Sequence, residues 1–448
     1  MSAGDRGRGT GDAWRAEPAP SPVPRPSSPE VIRDPLWNNI RLEPGALAVV
    51  DTPAFQRLRY VRQLGHAFLV YPGATHTRFE HALGAYHLAR RVLAQLEETL
   101  GGPAVPRADA DRLKLAALLH DIGHYPFSHA LEEAGLAHHE ALAARHLTTG
   151  DLAAALQRLD ITPADLLPII RGASHGPLAG IVSGSLDVDK LDYLSRDAHG
   201  CGVPYGIIDV DRLLASLTVV PAPDGRPALA LSEKGLAPLE SLLFAKYQMY
   251  RNVYWHHAVR AATAMFKRLV RRAIAEGRIG ADAVALATDD GLIHDLQQSD
   301  RTGLARALRE RRLAKRALDL PATDLPGRPA DWPATDPDLL EAVEDRLAAE
   351  IGLPPGELLL DLPDKPGMLD VDLPLVRRDG SVVRLAGAAA GAFLGLPRVA
   401  GELYRAARRL RVFTLAPATV PARGILALLE WPAEELRARL AAGRALLT

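Results

Sequence analysis

Cysteine is almost absent from the 448-residue sequence, which contains only Cys201. One cysteine cannot form an internal disulfide or a cysteine-based zinc cage, so the composition excludes a disulfide-stabilised small domain. No run of about 18 apolar residues is present, and the N-terminus lacks the apolar core of a signal peptide. The formal net charge is only −1 and gives no general attraction to nucleic acids, membranes or acidic partners. We therefore expect a cytoplasmic protein with no membrane segment and no strong nucleic-acid binding.

Aliphatic residues are also scarce in the first 30 positions, which are mainly Gly, Arg, Pro and Ser. Such a segment cannot bury enough apolar surface to offset the entropy lost on ordering, so we expect a disordered tail. The pattern becomes helical near residue 35. The predicted division is a disordered tail over residues 1–34, a helical core over 35–278 and an α+β region over 279–448.

Helical periodicity dominates the rest of the chain, and Pro53 suits the first turn of a helix. Helices are predicted over residues 52–63, 78–100, 111–120, 128–135, 151–159, 187–197, 234–278, 283–320, 337–351, 400–410 and 432–446. Residues 321–338 are rich in Pro and Asp and predict a loop. The sequence VRRDGSVVRL predicts a hairpin that turns at Asp379 and Gly380. The fold class is therefore mainly α, with a smaller α+β C-terminal part.

Histidine is concentrated in one part of the chain, because residues 76–139 hold eight of the 15 histidines. They lie in the segments HTRFEH, HDIGHYPFSHALEE and HHE, and DVDKLDYLSRD adds carboxylates at residues 187–197. A divalent ion that must also bind phosphate oxygens favours mixed imidazole and carboxylate ligands with open coordination positions. Packing alone does not account for this density of histidines, whereas a metal site does.

The last of these segments also predicts a shared helix face. Residues three or four apart lie on the same side of a helix, so Asp189, Tyr193 and Asp197 are expected to face one cavity. Lys190 lies beside them. This helix would present a metal ligand, an aromatic ring, a cation and a hydrogen-bond acceptor together.

Three segments, YPGATHTRFEHALG, LLHDIGHYPFSHALE and SLDVDKLDYLSRDAHG, resemble the signatures of the HD-superfamily dNTP triphosphohydrolases. That family includes bacterial dGTPases and the vertebrate restriction-factor dNTPase. TPAFQRLRYVRQLG and DKPGMLDVDLPLVRRDG match as well, so the resemblance spans roughly residues 35 to 380. It implies a helical HD-domain core, a homo-oligomer and a divalent metal ion (Mn, Mg, Fe, Co, Ni or Zn). The implied reaction is attack at the α-phosphorus of a (deoxy)nucleoside triphosphate, giving nucleoside and tripolyphosphate.

The resemblance also assigns roles to individual residues. The metal ligands would be His81, His120, Asp121 and Asp189. The catalytic group would be His129 with its acidic partner Glu132, and His124 and His139 near the α-phosphate. Cations for the phosphates would be Arg78, Lys190 and Lys246. The sugar and base would be contacted by Gln63, Leu64, Tyr193, Asp197 and Tyr254.

The sequence departs from the family pattern near the sugar and base. The vertebrate enzyme has His and Gln where this chain has Tyr250 and Trp255, and Lys246 replaces a phosphate-binding Arg, losing its planar fork. Base and sugar preference therefore stay open, and so does a nucleotide activator, because the family's regulatory site lies outside the motifs.

Other reactions are compatible with the same metal ligands. Nucleotidases, cyclic-nucleotide phosphodiesterases and alarmone hydrolases share them, and a non-catalytic nucleotide sensor is a further alternative. The DKLDYLSRD segment and the segment around Gln63 favour the triphosphate reaction. The complete ligand set argues against a chain that has lost activity.

Overall fold

The computed structural model describes residues 29–174, 178–222, 225–325 and 330–447, so most of the predicted tail lies outside the described residues. The first element is an antiparallel hairpin of β1 (Glu30–Asp34) and β2 (Asn38–Leu42). Strand β1 thus lies within residues 1–34, which were expected to form a disordered tail. The hairpin is anchored because Asp34 is buried and pairs with Arg196 at 2.9 Å.

The N-terminal half is built from nine α-helices within the described ranges. They are α1 (Pro44–Val50), α2 (Pro53–Gln56), α3 (Arg78–Leu100), α4 (Arg107–Leu119), α5 (His139–Thr148), α6 (Gly150–Gln157), α7 (Pro163–Ile170), α8 (Val188–Cys201) and α9 (Val210–Leu214). The long helix α3 has the predicted bounds. Thr77 and Glu80 form a capping box at its start, and Gly101 ends it in the left-handed conformation with φ 71°.

Two predicted helices in this half are wrong in extent. Instead of one helix over 52–63, α2 ends at Gln56 and a 3₁₀ helix covers Arg57–Tyr60. Instead of a helix over 128–135, only the 3₁₀ turn Ser128–Ala130 forms. The second difference has a local cause, because Phe127 and Ser128 have φ values of 58° and 59°, which a right-handed helix cannot contain.

The rest of the described chain contains eleven further α-helices. They are α10 (Leu236–Met249), α11 (His257–Ala275), α12 (Ala281–Leu286), α13 (Asp289–Ser299), α14 (Leu304–Arg309), α15 (Trp332–Thr335), α16 (Pro337–Glu350), α17 (Gly387–Ala390), α18 (Leu396–Ala407), α19 (Ala422–Leu428) and α20 (Ala433–Ala441). Further 3₁₀ turns cover Gly65–Leu69, Ala179–Ile181, Pro204–Gly206, Glu233–Gly235 and Ala322–Asp324. The π-helical turn Tyr250–Tyr254 divides the stretch predicted as one helical run over 234–278.

Two small sheets complete the fold. Their strands are β3 (Leu217–Pro221), β4 (Pro227–Ser232), β5 (Lys315–Pro321), β6 (Leu358–Asp361), β7 (Asp372–Val376), β8 (Val382–Ala386) and β9 (Arg409–Thr414). One sheet has the order β3-β4-β7-β8 with β4 and β7 parallel, and the other has the antiparallel order β5-β9-β6. The pairing of β7 with β8 confirms the predicted hairpin, whereas β5 replaces the end of a predicted helix.

The main apolar core places the ends of three helices together. Helix α3 packs against both α4 and α8, and Tyr86, Leu118 and Leu194 are buried between them. A separate core in the C-terminal part surrounds Trp332 and Val412. The mainly helical architecture with small sheets confirms the predicted fold class, although β3 and β4 lie within the region expected to be wholly helical. Among the described residues, no helix has both the length and the apolar character needed to cross a bilayer.

Candidate metal and active site

Four side chains converge where the start of α3, the end of α4 and the start of α8 meet. His81 Nε2 lies 3.1 Å from Asp189 Oδ1, 3.2 Å from His120 Nε2 and 3.5 Å from Asp121 Oδ2. His120 Nε2 lies 3.4 Å from Asp121 Oδ1 and 3.5 Å from Asp189 Oδ1. Ligand atoms that each lie about 2.0–2.2 Å from one ion are separated by such distances. These are the four predicted metal ligands. By spacing alone, His81, His120 and Asp189 could hold an ion together, and Asp121 adjoins them through both of its oxygens.

The outer nitrogens of both histidines are already hydrogen-bonded. His81 Nδ1 lies 2.8 Å from a carboxylate oxygen of Asp192, and His120 Nδ1 lies 2.8 Å from the backbone oxygen of Ala117. When Nδ1 donates in these bonds, Nε2 can offer its lone pair to an ion in the cluster. The two carboxylates facing the imidazoles require positive charge among them, from protonated rings or from a metal ion. The donor set therefore fits a divalent metal ion.

The electrostatics of the cluster agree with this fit. Burial disfavours a charged imidazole at His81, but the carboxylates of Asp189 and Asp192 outweigh burial and raise its pKa to about 10. Burial acts in the opposite sense on Asp189, yet His120 and His81 hold its pKa well below the usual range. The carboxylates thus attract positive charge strongly, which a divalent ion can supply.

A buried series of hydrogen-bonded polar groups contacts His81 on its Nδ1 side, away from the other candidate ligands. Asp192 accepts hydrogen bonds from Arg196 Nε at 2.9 Å and from the indole nitrogen of Trp37 at 2.5 Å. Arg196 continues the chain to Asp34 in the N-terminal hairpin. Neither Trp37 nor Asp192 was assigned a role from the sequence, although Asp192 lies inside the DVDKLDYLSRD segment.

A second cluster contains the four residues predicted to be catalytic. Glu132 accepts from His139 Nδ1 at 2.6 Å through one oxygen and lies 3.0 Å from His129 Nδ1 through the other. The ring of His124 stacks on that of His139 with centroids 3.9 Å apart, and His124 Nε2 lies 3.1 Å from Asp121. The cluster therefore extends from a metal ligand to His129. By spacing alone, these four residues could also bind an ion.

The charges in this cluster suit proton transfer. Burial disfavours ionisation of Glu132, but His129 and His139 outweigh it and hold its pKa far below the usual range. Burial, together with Arg78 and His139, holds the pKa of His124 well below its usual value. Glu132 is therefore a carboxylate that can stabilise a protonated His129, whose side chain is 59% exposed.

The predicted phosphate-binding cations are not equivalent. Arg78 is buried and donates to Asp121 and, at 3.2 Å, to Ser128 Oγ. Lys190 donates to Asp187 at 2.6 Å. Both cations are thus held by neighbouring residues, and their contact with phosphate stays a prediction.

Lys246 differs from those two cations. It is 6% exposed, and its ammonium makes no hydrogen bond or ion pair within the described part of the chain. Burial, together with Lys190 and Lys365 nearby, lowers the pKa of Lys246 to about 8 and outweighs the opposing effect of Asp187 and Asp189. A largely buried cation without a partner among the described residues can accept a bound anion.

Asp197 is the centre of the predicted sugar-binding side. It accepts from the Tyr254 hydroxyl at 2.6 Å and lies 2.9 Å from His76 Nε2. His76 belongs to the HTRFEH segment, yet no role for it was predicted from the sequence. Tyr193 lies one turn before Asp197 on α8, and burial raises its pKa well above the usual value, so it stays a neutral phenol.

The segment around Gln63 supplies an unsatisfied acceptor. The side-chain oxygen of Gln63 is buried and has no hydrogen-bond partner among the described residues, and the neighbouring Leu64 is half-buried against the core. A cavity of about 430 Å³ lies elsewhere, between Trp37 of the N-terminal hairpin and His199 of α8. None of the predicted site residues lines it. The candidate site is therefore defined by its converging side chains.

Two family models match the chain, the HD domain over residues 78–197 and the HD associated region over residues 208–390. All four candidate metal ligands lie inside the first match. The chain belongs to the HD superfamily. Together with the ligand geometry, this membership confirms the predicted divalent-metal cofactor, while the element stays open.

Curated relatives of this HD protein agree with the resemblance seen in the sequence. An uncharacterized protein of Methanocaldococcus jannaschii is 36% identical over 272 residues, which cover 60% of this chain and 56% of that protein. The deoxynucleoside triphosphate triphosphohydrolase SAMHD1 of Homo sapiens is 29% identical over 263 residues, covering 51% of this chain and 42% of that protein. The chain thus spans about half the length of the curated relatives it matches.

Solved structures share the fold of the HD protein over most of its length. A phosphohydrolase from Bacteroides thetaiotaomicron has a TM-score of 0.68 and 23% identity, and covers 86% of this chain and 100% of its own. A hypothetical protein from Aquifex aeolicus has a TM-score of 0.65 and 26% identity, and covers 92% of this chain and 100% of its own. The helical core and the C-terminal α+β part therefore recur together.

Proposed function

We propose that this HD protein hydrolyses (deoxy)nucleoside triphosphates at the α-phosphorus, releasing nucleoside and tripolyphosphate. The observation that carries the proposal is the continuity of the two clusters. Asp121 belongs to the metal ligands and contacts His124, which stacks on His139, which in turn shares Glu132 with His129. The similarity to SAMHD1, named as a deoxynucleoside triphosphate triphosphohydrolase, supports the choice of substrate class.

The ion would be held by His81, His120, Asp121 and Asp189. When bound, a divalent ion supplies Lewis-acid chemistry that offsets the charge on phosphate oxygens. The phosphates further from the sugar would contact Lys246, whose ammonium lacks a partner among the described residues.

His129 would transfer the proton. Water attack at the α-phosphorus breaks the bond to the 5′-oxygen of the nucleoside, and that oxygen needs a proton as it leaves. His129 Nδ1 lies 3.0 Å from Glu132, so Nε2 is left to face the substrate. Glu132 would hold the ring in this orientation and stabilise its charged form, as expected of a general acid–base pair.

The sugar would be held by the opposite side of the site. Asp197 is fixed by Tyr254 and His76, and the buried oxygen of Gln63 can accept a hydroxyl hydrogen. Leaving that oxygen without a donor has a cost, so a hydroxyl-bearing ligand is favoured at this position.

Product analysis tests the proposal. The purified chain is incubated with each dNTP and NTP in Mn²⁺, Mg²⁺ or Co²⁺, and the products are resolved by ion-exchange chromatography. Nucleoside and tripolyphosphate in equal amounts are expected. Orthophosphate or pyrophosphate as the first product would refute attack at the α-phosphorus and favour a nucleotidase or another HD phosphohydrolase.

Two further properties are proposed. Assembly into a homo-oligomer that binds a nucleotide activator rests on the resemblance, and a cytoplasmic location rests on the composition. Light scattering of the purified chain with and without each nucleotide tests the assembly. A single molecular mass, that of the monomer, under all conditions would contradict it.

A further inference from the structure

Two irregular segments bring Gln63 and His129 to the site. The recognition loop, residues 61–66, carries Gln63, and the proton-transfer loop, residues 124–132, carries His129. The second loop contains Phe127 and Ser128, two successive non-glycine residues in the left-handed region, with φ values of 58° and 59°. Side chains other than glycine disfavour this conformation, so it persists only where surrounding contacts impose it.

Asp289 makes those contacts from the start of α13. Its carboxylate is 1% exposed. One oxygen accepts from the backbone nitrogen of Phe127 at 2.8 Å, and the other accepts from the backbone nitrogen of Arg62 at 2.9 Å. The Arg62 guanidinium also donates to the second oxygen at 3.2 Å. A single carboxylate therefore joins the two loops.

Neighbouring contacts fit this junction. Ser128 Oγ lies 2.9 Å from the backbone oxygens of both Arg62 and Gln63, and its single hydrogen is shared between them. A Cβ atom on Gly65, whose φ is +51°, would lie 2.9 Å from the backbone oxygen of Phe127, so the close approach of the loops requires glycine. The rings of His66 and Phe127 stack with centroids 4.3 Å apart.

We propose that Asp289 is a positioning residue that sets the placement of His129 relative to Gln63. A sugar held at the recognition loop is then presented to the proton donor on the other loop. This role in turnover rests on the proposed function, whereas the joining of the loops does not. Asp289 lies outside the HD domain match and inside the HD associated region, so the latter would complete the active site.

Substitution of Asp289 tests the proposal, with Asp290 as a matched control. Asp290 is the next residue, its side chain is 81% exposed, and it contacts Arg62 at 3.5 Å. A displacement of about 1 Å at a reacting group costs on the order of 100-fold in rate. We expect Asp289→Ala to lower kcat per bound metal by about that factor. Asp289→Asn keeps one acceptor oxygen, so its kcat should lie between those of Asp289→Ala and the wild type. The kcat of Asp290→Asn should equal that of the wild type.

Hydrogen–deuterium exchange gives a readout that does not depend on turnover. Peptides covering residues 61–66 and 124–132 should exchange faster in the Asp289 variants than in the wild type. In Asp290→Asn their exchange rates should not change. If Asp289→Ala fails to fold, the nearly isosteric Asp289→Asn carries the test. Unchanged exchange, or faster exchange with unchanged kcat, would overturn the proposal, as would loss of metal from Asp289→Asn. If the wild type releases no tripolyphosphate, the proposed function fails, and the exchange data alone decide whether Asp289 joins the loops.

Discussion

Asp192→Asn isolates the support that the protein gives to a metal ligand. Asp192 is fully buried, lies 2.8 Å from His81 Nδ1 and does not belong to the four candidate ligands. Asparagine has the same shape but no charge and only one acceptor oxygen, so the hydrogen bond that fixes the His81 tautomer and increases the basicity of Nε2 is weakened. Substitution of such supporting partners typically costs 10- to 100-fold in metal affinity, or about 1.4–2.7 kcal/mol.

The same change also affects folding, and this effect must be separated from metal binding. Arg196 keeps its pair with Asp34 but loses a buried counter-charge, and breaking a buried pair costs about 3–5 kcal/mol. Asp361→Asn is a matched control, because Asp361 is also fully buried and pairs with Arg260 at 2.6 Å, away from the candidate ligands. Both variants should lower the free energy of unfolding by a similar amount.

Metal affinity distinguishes the two variants. Competition of each protein with a chelator for Mn²⁺ or Co²⁺ gives the dissociation constant, and thermal unfolding of the same samples gives their stability. We expect weaker metal binding in Asp192→Asn and an unchanged constant in Asp361→Asn. Equal metal affinities in the wild type and Asp192→Asn would refute the argument, since the charge of Asp192 would then have no effect on metal binding by His81.

Three other predictions address the ligands, the proton donor and the phosphates. Asp121→Ala should lose metal and activity without unfolding, and elemental analysis with circular dichroism checks this; retained metal would contradict the ligand assignment. His129→Ala should lower kcat by about 100- to 10,000-fold while KM and metal content change little, and Glu132→Gln should lower it less; loss of metal would make His129 a ligand. Because the pKa of Lys246 is lowered to about 8, its charge disappears as the pH rises through 8, so KM for a triphosphate should increase above that pH. Lys246→Met should remove this rise, and a KM profile identical to that of the wild type would exclude the lysine from phosphate binding.

The candidate metal site could be predicted because its residues occur in local motifs. His120 and Asp121 are adjacent, and His81 and Asp189 each lie on the first turn of a helix whose start the sequence encodes. The side chains of Thr77 and Asp187 cap those helices. Recognition of three short segments was enough to predict candidate ligands that are far apart along the chain and that the fold brings together.

The supporting residues could not be predicted in this way. Asp289 bonds to residues 162 and 227 positions away, and the indole of Trp37 bonds to Asp192 155 positions away. Such contacts leave no local pattern. The left-handed turn at Phe127 was also hidden, because glycine is the usual signal for positive φ and none stands there. Strand β5 was not predicted because its composition resembles that of a helix: Ala, Leu and Arg continue from α14 into Lys315–Pro321.

The two matched regions contribute different residues to the candidate site. The ligands and the proton-transfer cluster all lie in the HD domain, whereas Lys246, Tyr254 and Asp289 lie in the HD associated region. Those three residues offer a cation without a partner among the described residues, a hydroxyl bonded to Asp197 and the junction between two loops. In the proposed function each would contact or position the substrate, and none belongs to the four candidate metal ligands. We therefore expect the choice of substrate to depend on both regions, on Tyr193 and Asp197 in the HD domain together with Lys246 and Tyr254 in the HD associated region.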